Sequence, residues 1–247
     1  MKFTILRFES IGSTNTEAAN QAKQGANEGL CVVARQQTAG RGRHGRVWIS
    51  AKDAGLFFSI VLRPKIETRF LPLVTFIATI AVFDVLKEIY NLEPDIKWAN
   101  DVHIKNKKIC GILAEMIETK RDLAIVVGIG VNLKSTNFPP ELNAIATSIQ
   151  EETGKNVNAE ELLENLTEKI SFYYEIFTSA GGAEKIRYEW TKRSSYAFGK
   201  NVRVMLENET IFGETRGLEE NGALRVETKA GEVKTIQAGD VEMLRKI

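Results

Sequence analysis

The sequence has 247 residues, of which 33 are Lys or Arg and 32 are Asp or Glu, so its net charge is +1 with both histidines neutral. This balance argues against a uniformly basic nucleic-acid-binding protein and against an acidic, solvated chain. With 43% hydrophobic and 26% charged residues, the composition is that of an ordinary globular protein. No uninterrupted apolar run has the length of a membrane span, and charged residues interrupt the N-terminus too early for a signal peptide. We therefore expect a cytoplasmic protein.

The two cysteines, Cys31 and Cys110, each stand among apolar residues. Two buried, reduced thiols are therefore expected, and neither a disulfide framework nor a zinc site. Charge is unevenly distributed, because residues 29–52 contain five Lys or Arg and no Asp or Glu. That segment carries +5, so the rest of the chain sums to −4.

Strands and helices alternate along the first 195 residues without a strict repeat. We predict strands over residues 2–8, 30–34, 56–62, 95–98, 109–117 and 123–133. Helical patterns start at Thr14, where Glu17 completes a capping box, and at Asn158, and a largely apolar helix is predicted over residues 71–89. A further helix is predicted to end near Ser194. This order indicates an α+β fold in which a mixed sheet is flanked by helices.

The pattern changes after Tyr196. Short strands are predicted over residues 202–206, 210–218, 223–227 and 233–236. Turn signals separate them at intervals of roughly 8 to 12 residues, which is typical of a small β-barrel. We therefore predict two domains, residues 1–195 and an SH3-like barrel over residues 196–247. A unit of about 50 residues buries little surface by itself, so the barrel is expected to pack on the first domain.

A loop rich in glycine and arginine follows the strand predicted at 30–34. Its residues 40–45 match the G-x-G-x-x-G spacing of dinucleotide-binding turns. Such a turn opens into an apolar helix, whereas residues 46–50 lead toward a strand, and no P-loop pattern occurs in the chain. Glycine amides and guanidinium groups bind carboxylate and phosphate oxygens, and Trp48 offers a stacking face for a flat ring. We predict an anion-binding loop that is mobile until an anion neutralises its arginines, with a solvated basic loop as the alternative.

Polar residues flank Trp98 at the end of its predicted strand. Lys97, Asn100 and Asp101 are expected there, with side chains that project into a cleft. In such a cleft Asn100 could bond a phosphate, and Asp101 could help to hold a magnesium ion on phosphates. An Asn-Asp pair is equally common at a plain junction between a strand and a turn, and these residues alone do not decide between the two.

Glycines stand inside the next two predicted strands. Gly111 follows Lys108 by three residues, and Gly128 and Gly130 lie in the following strand. Glycine within a strand often marks the close approach of a ligand or of another backbone. The two strands therefore form either a slot for a flat apolar molecule or a tightly packed part of the sheet.

Five segments, taken together and in order, resemble the biotin protein ligases, which attach biotin to a lysine of a carrier protein. The matching segments are Ser13 to Asn15, Gly40 to Trp48, Lys97 to Asp101, Lys108 to Leu113 and Gly128 to Asn132. Two positions depart from the family pattern, because Ala99 replaces the usual proline and His44 stands where arginine is frequent. Some members begin with a helix-turn-helix domain, whereas this sequence begins at the catalytic strand, so no DNA binding by that route is expected.

The resemblance implies a catalytic domain like that of the class II aminoacyl-tRNA synthetases, with biotin and ATP as substrates and Mg²⁺ on the phosphates. The residues implied to bind biotin are Ser13, Thr14, Gln37, Gly40, Arg41, Gly111 and Gly130. Those implied to bind the nucleotide are Arg43, Arg46, Trp48, Asn100 and Asn132. Those implied to act in catalysis are Arg43, Lys108, Lys97 and Asp101, and Asp101 is also the implied contact for Mg²⁺.

The implied reaction has two steps. Biotin is activated as biotinyl-5'-AMP with release of pyrophosphate, and the biotinyl group then passes to a lysine of the biotin carboxyl carrier protein of a carboxylase. Two alternatives stay open, a lipoate or octanoate transferase of similar fold and a nucleic-acid binder that inserts Arg41 and Arg43 into a minor groove. A monomer and a homodimer are both compatible with the sequence.

Overall fold

The computed structural model describes residues 1–135 and 138–243 of the chain. The first part contains the strands β1 (Thr4–Phe8), β2 (Leu30–Ala34), β3 (Gly55–Leu62), β4 (Pro94–Lys97), β5 (Asp101–Ile104), β6 (Lys107–Glu118) and β7 (Leu123–Asn132). Its helices are α1 (Thr14–Lys23), α2 (Val74–Glu88), α3 (Ile149–Thr153), α4 (Ala159–Thr178) and α5 (Gly182–Arg193). The last part contains β8 (Phe198–Met205), β9 (Thr210–Leu218), β10 (Leu224–Thr228), β11 (Val233–Ile236) and β12 (Asp240–Met243).

The strands form two sheets. The first has seven strands in the order β1-β2-β3-β7-β6-β5-β4, in which β1 and β2 are parallel and the other neighbours are antiparallel. The second is antiparallel, with the order β11-β10-β9-β8-β12. The mixed sheet with flanking helices and the small terminal β unit confirm the predicted fold class.

Helices cover both faces of the seven-stranded sheet, which explains the apolar character of its central strands. All eight residues of β3 are buried. On one face α1 packs through Ala18 and Ala22 against residues such as Val32 and Val61. On the other face, the alternate side chains of the same strands pack into the main core together with α2, α4 and α5. A strand covered on both sides reads as a continuous apolar run, as predicted for residues 56–62.

The apolar helix predicted over residues 71–89 is α2, preceded by a 3₁₀ helix over Thr68–Leu73. Pro72 lies in that first segment, where its missing N–H removes no bond from the α-helix that begins two residues later. Thr68–Glu88 has the length and mean hydropathy of a membrane span, although charged residues such as Arg69 and Asp84 interrupt its apolar sequence. Most of this stretch is buried inside the protein, as in the core helix of a globular domain.

The cap of α1 differs from the prediction. Ser13, and not Thr14, is the N-cap residue, and its hydroxyl accepts a bond from the amide of Thr16. The Thr14 hydroxyl instead donates to Gln37 Oε1, so the predicted capping box between Thr14 and Glu17 is wrong. The difference matters for function because it turns the Thr14 side chain away from the helix backbone and toward the glycine-arginine loop.

One strand near the site was not predicted. Asp101, which we expected at the end of a strand, is the first residue of β5, and Lys97 is its partner across the β4–β5 hairpin. The segment Asp101–Ile104 alternates polar and apolar residues, but four residues are too few for a reliable periodic signal. The hairpin therefore brings Lys97 and Asp101 side by side.

The terminal sheet packs on the first part of the chain through a shared core. The indole Nε1 of Trp98 donates to the carbonyl of Gly222 at 2.9 Å. A Cβ on Gly222 would lie 2.8 Å from Leu73, so the β9–β10 turn sits tightly on α2 and its preceding segment. Ser195 bonds the carboxylate of Asp95, which anchors the linker as well. These contacts agree with the expectation that the small β unit depends on its neighbour.

We predict that Gly128→Ala lowers the free energy of unfolding by about 1 to 3 kcal/mol, as overpacking does in a closed core. A Cβ on Gly128 would lie 1.9 Å from Asn15 Oδ1, which accepts a bond from the buried Ser59 hydroxyl. Urea unfolding of both proteins measures the difference. Gly12→Ala is the matched control, because nothing lies within 4 Å of its Cβ, and we expect a change within about 0.5 kcal/mol. Equal stability of the two variants would contradict the steric argument.

Candidate active site

The five segments that carry the resemblance surround one cavity of about 650 Å³. Among the residues that line it are Ser13, Thr14, Gln37, Arg41, Arg43, Arg46, Trp48, Lys97, Asn100, Asp101, Lys108, Gly111, Gly130 and Asn132. Gly40 is not among the lining residues, and a Cβ there would lie 2.4 Å from the Trp48 carbonyl oxygen. The structure therefore brings the predicted residues together, with Gly40 as a support for the loop.

Hydrogen bonds organise the end of the cavity near α1. The amide and the hydroxyl of Thr14 both donate to Gln37 Oε1, at 2.8 and 3.1 Å. The Gln37 amide group in turn donates to Ser50 Oγ at 3.0 Å, and Ser59 donates to Thr14. This network fixes the rotamers of Thr14 and Gln37, so polar groups suited to a small heterocycle are oriented before a ligand arrives.

The glycines of β6 and β7 form a flat patch, and the indole of Trp48 lies on it. Gly111 and Gly130 are directly paired across the two strands. A Cβ on either residue would come within 2.7 to 2.8 Å of the Trp48 ring. The paired glycines leave room for a flat ring, and in this structure the Trp48 indole occupies that room. Gly128 has another role, because its missing side chain makes room for Asn15.

Three cationic side chains project into the middle of the cavity. Arg43 Nη1 donates to Asn100 Oδ1 at 2.9 Å, and Lys108 Nζ lies 2.7 Å from Asp101 Oδ1. Burial is the largest single influence on Asp101 and opposes its ionisation, but the Lys108 ammonium and the His103 side chain together outweigh burial and hold the pKa of the carboxyl well below its usual range. The pKa of Lys97 is lowered, chiefly by burial. The centre of the site is therefore positive and suits anionic ligands.

Carboxylates from other strands pair with two arginines of the glycine-arginine loop, so the expectation that the loop lacks counter-charges is wrong. Arg41 Nη2 bonds Glu115 of β6 at 2.7 Å, and Arg46 bonds Asp240 of β12. Within the described ranges, Arg43 forms no ion pair with a carboxylate and instead bonds Asn100. Arg43 is therefore the loop arginine whose positive charge is available to a ligand.

Four residues that line the cavity or pair with its arginines were not predicted from the sequence, namely Asn15, His103, Glu115 and Asp240. Asn15 links α1 to the sheet by donating to the Leu113 carbonyl and to Glu115 Oε2. Glu115 thus receives both Asn15 and Arg41 on the same oxygen. Asn15 stood within a matched segment and was detectable, whereas Asp240 lies far along the chain and carried no local signal.

A cationic, glycine-lined cavity on a mixed sheet suits an anionic ligand that carries a flat ring. The family model described as biotin/lipoate A/B protein ligase family matches residues 7–132, and the model of the biotin protein ligase C-terminal domain matches residues 197–244. The chain belongs to the biotin protein ligase family.

Individual relatives agree with this membership. The bifunctional ligase/repressor BirA of Bacillus spizizenii is 36% identical over 97% of this chain and 74% of its own length. The biotin–[acetyl-CoA-carboxylase] ligase of Paracoccus denitrificans is 34% identical over 93% of this chain and 96% of its own. The structure is also similar to that of the biotin protein ligase of Aquifex aeolicus in complex with biotin and ATP, with a TM-score of 0.84, 30% identity, and coverage of 98% of this chain and 99% of that one.

We predict that Gly130→Ala displaces the Trp48 indole from the patch, because the three atoms nearest to the new Cβ all belong to that ring. Acrylamide quenching of tryptophan fluorescence measures the change. The other two tryptophans, Trp98 and Trp190, are buried, so increased quenching reports on Trp48. Trp48→Phe is the control that removes the responsive component. Unchanged quenching in Gly130→Ala would show that the ring does not rest on the glycine.

Proposed function

We propose that the residues around the cavity together carry out a reaction of two steps. The chain is an ATP-dependent biotin protein ligase, which activates biotin as biotinyl-5'-AMP and then transfers the biotinyl group to a lysine. The observation that carries this assignment is the meeting of the five segments around one positive, glycine-lined cavity. The activation step joins two anions, and neutralising both is the main requirement on such a site.

The ends of the cavity suggest where each substrate lies. Thr14 and Gln37 present oriented polar groups at one end, together with Ser13, and these suit the ureido ring of biotin. Gly40, Arg41, Gly111 and Gly130 would shape that part of the site. Toward the other end, Asn132 donates to the Thr147 carbonyl and borders an apolar wall that includes Phe138 and Ile145. An adenine ring suits that wall, with Trp48 and Asn132 beside it.

Arg43 and Lys108 would act between these two regions. In the first step a carboxylate oxygen of biotin attacks the α-phosphorus of ATP, the bond to the β-phosphate oxygen breaks, and pyrophosphate leaves. The two side chains would offset the negative charge on both reactants, with Arg46, Lys97 and Asn100 as neighbours of the phosphates. In the second step the carrier amine attacks the acyl carbon, AMP leaves, and the amine loses a proton. No side-chain nucleophile is needed in either step.

The partner is expected to be the biotin carboxyl carrier protein of a carboxylase, and we place the enzyme in the cytoplasm. The two cysteine thiols, both buried, are compatible with a reducing compartment. We expect no DNA binding, because the positive charge is concentrated in the cavity and two of the loop arginines are already paired. Oligomeric state is left open between a monomer and a homodimer.

Removal of either central cation tests the proposed roles. We predict that Arg43→Ala and Lys108→Ala each cost about 3 kcal/mol of transition-state stabilisation, by analogy with loss of one charge-stabilising donor. Biotin-dependent exchange of labelled pyrophosphate into ATP measures the first step. Lys107→Ala is the matched control, since Lys107 lies next to Lys108 and pairs with Glu151, outside the cavity. Near-normal exchange in Arg43→Ala or Lys108→Ala would remove that residue from the chemistry.

Substrate choice has its own test, because the matching family model also includes lipoate ligases. We predict that wild-type protein exchanges pyrophosphate with biotin and not with lipoate or octanoate. The Thr14–Gln37 network is the physical reason, because its oriented polar groups match a ureido ring and would gain no hydrogen bond from an aliphatic or dithiolane end. Thr14→Val should therefore raise the KM for biotin more than it lowers kcat. Exchange with lipoate alone would overturn the assignment of biotin.

A further inference from the structure

Asp101 was expected to contact Mg²⁺, and its surroundings do not fit a metal ligand. Mg²⁺ binds oxygen ligands with near-octahedral geometry, usually one or two carboxylates together with substrate phosphates. Across residues 1–135 and 138–243, no group of three or more His, Cys, Asp or Glu is arranged to hold a metal ion. Asp101 would therefore have to bind Mg²⁺ as an isolated carboxylate. Whether it can do so depends on how far its oxygens are already engaged by other groups.

Cationic and polar groups already surround the Asp101 carboxylate. Lys108 Nζ forms a close ion pair at 2.7 Å with Oδ1, although the angle is not that of a regular hydrogen bond. His103 Nε2 lies 3.9 Å from Oδ2 and has no other partner among the described residues. Lys97 faces Asp101 across the β4–β5 hairpin. A divalent cation bound here would stand beside two lysines, which Coulomb repulsion disfavours.

We propose that Asp101 is a positioning residue that holds the Lys108 ammonium in the cavity, and that it is not a ligand of Mg²⁺. Lys108 is on β6 and Asp101 is on β5, and the two strands are hydrogen-bonded, so both backbones are fixed. The long side chain of Lys108 would otherwise sample many rotamers in a positive site. The Asp101 carboxylate offsets that positive charge and directs the ammonium toward the position where the two anionic substrates meet.

Mg²⁺ would then be held by phosphate oxygens and water without a bond from Asp101. This inference rests on the proposed role of Lys108, and the experiments below distinguish a failure of the inference from a failure of the proposed function. If wild-type protein shows no biotin-dependent pyrophosphate exchange, the proposed function fails, and the metal part of the inference is still decided by direct binding of Mn²⁺.

The first experiment measures exchange as a function of free Mg²⁺ for wild type and Asp101→Asn. We expect kcat to fall about tenfold or more, while the Mg²⁺ concentration that gives half the maximal rate changes less than twofold. A metal ligand would behave differently, because its loss raises that concentration tenfold or more and excess Mg²⁺ then restores the rate. That outcome would overturn the proposal.

A double-mutant cycle tests whether Asp101 acts through Lys108. We expect Asp101→Asn to have little further effect, less than threefold, in a Lys108→Ala background, because residues that act as a unit are not additive. Full additivity would show that Asp101 acts on the reaction independently of Lys108, against the proposal. Lys107→Ala again serves as the matched background in which Asp101→Asn should keep its whole effect.

A measurement without catalysis completes the test. Electron paramagnetic resonance of Mn²⁺, with a non-hydrolysable ATP analogue and each protein, reports the affinity for the metal–nucleotide complex and the environment of the metal. The proposal predicts the same Mn²⁺ spectrum and a similar metal affinity for wild type and Asp101→Asn. An altered spectrum, or a tenfold weaker Mn²⁺ affinity in the variant, would establish Asp101 as a metal ligand.

Discussion

The arrangement of the site depends on the pairing of loop arginines with carboxylates from other strands. Arg41 is bound by Glu115 of β6, and Arg46 is bound by Asp240 of β12. These pairs are partly exposed, so each contributes on the order of 0 to 1 kcal/mol to folding. Their main effect is on position, because they fix both ends of the loop and leave Arg43 between them to face the cavity. Without these partners the arginines of the loop would repel one another, so the two ion pairs give the loop a defined conformation.

Glu115 also shows how the loop is connected to the rest of the fold. Its carboxylate receives Asn15 from α1 as well as Arg41, and Asn15 in turn accepts a bond from Ser59 of β3. The space for Asn15 exists only because β7 has no side chain at Gly128. The loop, the first helix and the strands β3 and β6 are therefore linked by one polar network, which runs from the buried Ser59 to the exposed Arg41. We expect a change at Gly128 to alter the position of Arg41 through this network.

Much of the fold and most of the site could be predicted from the sequence, and the exceptions have physical causes. The apolar pattern of β3, the helix that follows Asn158 and the short terminal strands all carried strong local signals. Ser13 was missed as a cap because Thr14 completes an equally good local pattern, and the bond to Gln37, 23 residues away, decides between them. Asp240 was missed because no local pattern records an ion pair between residues 194 positions apart. Hydrophobic periodicity carries no information about which distant residues form ion pairs.

The indole of Trp48 on the paired glycines has a consequence for selectivity. In this structure the ring lies against both glycines, of which Gly130 is buried and Gly111 is half-buried. A ligand ring that uses the patch must replace the van der Waals contact of a large aromatic group. Ions and small polar metabolites cannot make that exchange, so occupancy by cellular phosphate or carboxylate alone leaves the glycines covered. The glycine patch is thus accessible to a molecule that combines a flat ring with negative charge.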